Sequence, residues 1–86
     1  MKLDELRLQI NRIDEDMLKL FEKRMHVAKQ IGEYKKEQQL PVFDEEREKT
    51  LLKMMKDKIE DKDLSAYYES FLIYLMSLSK DYQHEV

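Results

Sequence analysis

The chain is 86 residues long with one Gly, one Pro, no Cys and no Trp; 41% of its residues are charged and 42% hydrophobic, for a formal net charge of -3. So little Gly and Pro leaves too few turns for a sandwich, a barrel or an array of short strands, and the missing Cys removes disulfides, thiolate zinc sites and cysteine nucleophiles. The opening MKLDELRL lacks the apolar run of a signal peptide, no stretch approaches the length of a membrane span, and the mild acidity argues against nucleic acid as the main partner. The expectation is a single cytoplasmic, nearly all-helical domain over residues 1–86, small enough to be marginal unless something adds buried surface.

Leu3, Leu6, Ile10, Ile13, Met17 and Leu20, then Val27, Ile31 and Tyr34, recur in steps of three and four, with mostly charged residues between them. This is a heptad stripe. The helix it predicts runs through Gly32, which costs about 1 kcal/mol, and on toward Leu40, where Pro41 ends it. Asp44 has the chemistry of an N-cap, with Glu45 and Glu46 in the first turn of a second helix whose inner face carries Leu51, Leu52, Met55 and Ile59. The apolar period lapses at Asp61, Lys62 and Asp63 and resumes at Leu64. Tyr68, Phe71, Leu72, Leu75, Ser79 and Tyr82 then predict a third helix, and the six Met residues read as core filler.

Length sets a further expectation. About 36 helical residues rise roughly 54 Å, whereas a compact 86-residue globule has a radius of gyration near 12 Å and a diameter of about 30 Å. The first helix therefore overhangs its own fold. Its stripe stays apolar along the overhang, which predicts a homodimer with the long helices packed against each other.

Counting by threes and fours from Leu20 to Val27 lands on Arg24, a guanidinium at a position otherwise kept for apolar side chains. Such a charge needs a partner. An intramolecular salt bridge, a register-setting residue in a coiled coil and an anion site all satisfy the requirement. Lys35 lies eleven residues on, within about 20° of Arg24 around the axis and roughly 16 Å along it, so both can lean toward one small anion. Only four of the sixteen basic residues are Arg, namely Arg7, Arg12, Arg24 and Arg47, a sparing use that fits bidentate anion contacts. Arg12 lies off the stripe and reads as solvated. Arg7 is about 25 Å from Arg24 along the helix and cannot serve the same site within one chain, although an antiparallel pair of long helices brings one chain's Arg7 to the other's Arg24. Asp44, Arg47 and Glu48 share a face by their i, i+3, i+4 spacing, which local ion pairing also explains. Ser79 and Gln83 share a face of the third helix. His26 and His84 each lack a second nearby ligand, so no metal site is expected, and no Ser-His-Asp spacing or Gly-rich phosphate loop occurs.

Taken together, LRLQINRIDEDMLKLFEKR (6–24), IGEYK (31–35), LPVFDEERE (40–48) and the weaker SKDYQ (79–83) make the chain resemble the all-helical, AroQ-type chorismate mutases over nearly its whole length. The resemblance implies an all-α fold of three helices per chain in an intertwined homodimer with two sites. It also implies conversion of chorismate to prephenate, the branch step of the shikimate pathway toward Phe and Tyr. By the same resemblance Arg24 grips one substrate carboxylate, Arg7 crosses the dimer to the other, and Lys35 hydrogen-bonds the ether oxygen. Asp44 and Glu48 surround the ring hydroxyl with Arg47 beside them, and Ser79 and Gln83 complete the set from the last helix, Gln83 facing the ether oxygen opposite Lys35. The last match takes a one-residue shift; without it, Lys80 and His84 are selected instead. A Claisen rearrangement needs no nucleophile, metal or cofactor, and none is expected. An isochorismate-pyruvate lyase of the same fold is one alternative function, and a non-catalytic helical dimerisation module, with Arg24 as a register device, is another.

Overall fold

The computed structural model describes residues 1–86 as three α-helices and one turn of 3-10 helix. They are α1 (Lys2–Glu37), α2 (Glu45–Lys58) and α3 (Ser65–His84), with the 3-10 turn at Lys62–Leu64. No strand forms, and no helix is long and apolar enough to cross a membrane.

The end of α1 differs from the expected one. Instead of continuing to Leu40, the helix closes at Glu37: the Leu40 amide donates to the Lys35 carbonyl (2.7 Å) and the Gln39 amide to that of Lys36 (3.2 Å). Gln39 takes the left-handed conformation (φ 57°) that this Schellman closure requires. A residue with a side chain pays for that conformation where Gly would not, so composition hid the stop and pointed three residues too far, to Leu40 just before Pro41. Lys35 and Lys36 in the last turn face the negative end of the helix dipole. The start of α2 is as expected, with the Asp44 side chain accepting from the Arg47 amide at 3.0 Å. Asp61 caps the 3-10 turn through the Asp63 amide in the same way, and this local bonding replaces apolar periodicity between α2 and α3.

Helix α3 packs against both α1 and α2, whereas α1 and α2 make no close backbone approach to each other. A Lys56–Glu69 ion pair (3.0 Å) helps hold α2 on α3. Extents of 56 × 25 × 15 Å and a radius of gyration of 16.0 Å describe a rod with a small cluster at one end, against about 12 Å for a compact chain of this length. Only Ala28, Gly32, Leu72, Met76 and Ser79 are buried, all near the crossing of α1 and α3. Gly32 is there for space. A Cβ on it would lie 2.9 Å from the Gln83 Cα and 3.0 Å from the Gln83 carbonyl oxygen, so Gly32 lets the end of α3 lie directly on α1. The N-terminal half of α1 has no buried residue, and Leu6, Ile10, Ile13 and Leu20 stand between 43% and 66% exposed.

Candidate active site

Because α1 and α2 are held apart by α3, a cavity of about 270 Å³ opens between them, with α3 as its floor and Val42 from the 38–44 connection in its wall. Into it come Arg24 and Lys35 from α1, Asp44, Arg47 and Glu48 from the start of α2, and Ser79, Lys80 and Gln83 from α3. Seven of the eight residues named from the sequence thus meet in one place. Arg7 does not: it is exposed near the free end of α1, outside the cavity wall.

Arg24 donates through Nη1 to the Ser79 hydroxyl, which in turn donates to the Leu75 carbonyl at 3.0 Å. The hydroxyl's single proton goes to the helix backbone, so its lone pair is left for the guanidinium. Burial holds Arg24 below its ordinary pKa; neighbouring Tyr68 opposes the effect and Arg47 reinforces it. An arginine remains charged at neutral pH all the same, so the pocket holds an underhydrated cation whose nearest protein partner is neutral. Lys35 donates to the Val42 carbonyl at 2.8 Å, which ties the connection down and leaves two of its N–H donors for other use. Gln83 Oε1 is buried without a hydrogen-bond partner, an arrangement stable proteins mostly avoid outside functional sites.

The ion pairing is lopsided. None of Arg24, Lys35 and Arg47 forms a salt bridge; the one pair in the wall joins Lys80 to Glu48 at 3.0 Å. Four cations line the cavity with two carboxylates, a net of two positive charges. No three His, Asp or Glu side chains converge in a metal-binding group anywhere in the chain. Ser79 and Gln83 face the cavity and His84 does not, but Lys80 does as well. Sequence reasoning reached Lys80 only through the unshifted register and gave it no role, and it read Gly32 only as a helix cost. Being the chain's one glycine, inside an otherwise uninterrupted helical pattern, is the signal that could have marked Gly32 as a close approach.

The chain is thus an all-helical protein with a cavity of net double positive charge, in which one guanidinium has a hydroxyl but no carboxylate for a partner. Comparison with known proteins makes this specific. The chain belongs to the chorismate mutase type II family, whose profile matches residues 6–84. It is 34% identical to a chorismate mutase of Methanocaldococcus jannaschii over an 89-residue alignment covering 98% of this chain and 90% of that protein. It is also 46% identical over 50 residues to a bifunctional chorismate mutase/prephenate dehydratase of Aquifex aeolicus, and 33% identical over 64 residues to the T-protein of Haemophilus influenzae. The matched regions are 58% and 74% of this chain but only 14% and 17% of those two longer relatives.

Proposed function

We propose that this chain rearranges chorismate to prephenate in the cavity between α1 and α2. The observation that carries the reading is the set of cations without carboxylate partners, Arg24, Lys35 and Arg47, lining one small cavity of net double positive charge. Chorismate is a dianion of matching size class, and its rearrangement asks only that the flexible molecule be held folded and that charge growing on the breaking ether oxygen be met by donors. Arg24, supported by Ser79, holds one carboxylate as a bidentate fork. Lys35 and the amide of Gln83 aim at the ether oxygen, where a donor is worth about 3–4 kcal/mol in the transition state. Asp44 and Glu48 accept from the ring hydroxyl, with Arg47 closing that side. Holding the substrate in the reactive conformer supplies most of the remaining advantage.

The second carboxylate is met by Arg7 from a second copy of the chain, in a homodimer built on the bare half of α1. Two features support this. No residue of the stripe from Leu3 to Leu20 is buried within its own chain. A groove of about 500 Å³ runs between Met17–Phe21 on α1 and Phe71, Tyr74 and Leu78 on α3, lined almost wholly by hydrophobic side chains and ending at Arg24. A partner helix in that groove would therefore arrive beside the active cavity.

The test is to supply chorismate and isochorismate separately to purified protein and identify the products. Prephenate from chorismate is expected; pyruvate release from isochorismate without prephenate formation would replace the proposal with the lyase reading.

A further inference from the structure

An anion cavity gains nothing from bare carboxylates in its wall, yet this one has two. Asp44 carries its compensation locally: it sits at the N-cap of α2, accepts the Arg47 amide and lies at the positive end of the helix dipole. Glu48 is a full turn further along α2, where that field has faded. Its partner comes from the opposite helix, with Lys80 Nζ 3.0 Å from Glu48 Oε2 and the two side chains only 31% and 26% exposed. The same ammonium stands 4.7 Å from the centroid of the Phe43 ring, in cation–π contact with the connection that also supplies the acceptor for Lys35. Lys80 is thus held by α2 on one side and by the 38–44 connection on the other. It follows Ser79 directly and precedes Gln83 by three residues on the cavity side of α3.

An isolated exposed lysine–glutamate pair does little. This pair differs in being mostly buried, in bridging two elements and in lying within an anion cavity. We propose that Lys80 is a positioning residue of the site: it neutralises and pins Glu48, so that the cavity accepts a small dicarboxylate while Glu48 stays fixed as an acceptor for a neutral hydroxyl of the same ligand. This rests on the functional reading above and adds a residue to it. Without Lys80, the Glu48 carboxylate faces the incoming dianion unscreened and free to swing. The damage falls on ligand capture, because Lys80 reaches the reaction only through Glu48.

Lys80→Met keeps the aliphatic stem and removes the charge. With chorismate, it is expected to raise KM about tenfold or more while kcat stays within about threefold, and Lys80→Arg restores KM. The decisive comparison is a double-mutant cycle. In a Glu48→Gln background, Lys80→Met should cost less than about threefold in KM, since the carboxylate it screens is gone. An equal penalty in both backgrounds, or none in either, overturns the proposal. Lys80→Gln serves as the second neutral variant should circular dichroism show Lys80→Met to be unfolded. The same cycle is read without turnover from the rise in thermal midpoint on adding malonate, which should shrink in Lys80→Met and shrink far less when Glu48 is already Gln. If the wild type binds malonate but leaves chorismate untouched, the functional reading fails while the malonate cycle still decides the role of Lys80. A wild type whose midpoint does not respond to malonate contradicts both.

Discussion

The two halves of α1 carry the same heptad stripe into opposite surroundings. From Arg24 onward the helix rests on α3: Ala28 and Gly32 are buried, and Arg24 and Lys35 line a cavity. Before Arg24 no residue of the stripe is buried, and Leu20 stands 66% exposed. Arg24 lines both the charged cavity and the apolar groove, so it marks the border between the two environments. The lesson is that a periodic pattern states which face of a helix is apolar but not what covers it; here α3 covers one half and the other stands exposed.

The largest effect expected from breaking this contrast is at Leu20. For a lone chain, Leu20→Glu would be a surface change worth no more than about 0.5 kcal/mol. In the proposed homodimer it places a charge in a shared core, and loss of the dimer together with most of the helical signal is expected, read by sedimentation and circular dichroism. A stably folded Leu20→Glu chain with unchanged mass in solution would mean that the bare half of α1 has no partner.

Next in size is the chemistry of the other half. Lys35→Ala should lower kcat by on the order of 10²–10³-fold, as expected for removing one transition-state donor, with a much smaller change in KM. If the whole loss appears in KM, Lys35 serves binding and its assignment to the ether oxygen is wrong.

The smallest effect is at the seam. Gly32→Ala improves helix propensity by about 1 kcal/mol, yet the added methyl meets backbone atoms of Gln83 that cannot swing aside, and such overpacking costs about 1–3 kcal/mol. A modest net loss of stability in urea is expected, together with reduced turnover as Gln83 is pushed from the cavity. A variant more stable than the wild type with full activity would show that the close approach of α3 to α1 does not position Gln83.

Much of this was legible in the residues because helices are local objects. The stripe on α1, the Asp44 cap and the resumption of periodicity at Leu64 each depend on side chains within a turn or two of one another, and all three appear in the fold. The closure of α1 at Glu37 was not legible, since it uses Gln39 in a conformation that composition assigns to Gly. Arg24 was legible as an anomaly only: the pattern showed a charge where none belonged and left salt bridge, register device and anion site open. The structure gives it a serine partner and no carboxylate, which removes the salt bridge from those choices.

By itself the sequence determined three helices, their apolar faces and a set of charges too orderly to be mere solvation, because helical periodicity is written in spacings of three and four. Only the tertiary structure decided that α3 separates α1 from α2 and so creates a cavity, that Gly32 admits Gln83 to it, and that Lys80 answers Glu48 across it. Those outcomes depend on residues 13 to 55 positions apart being brought within a few ångströms, and no local pattern encodes the distance between two helices whose backbones make no close approach.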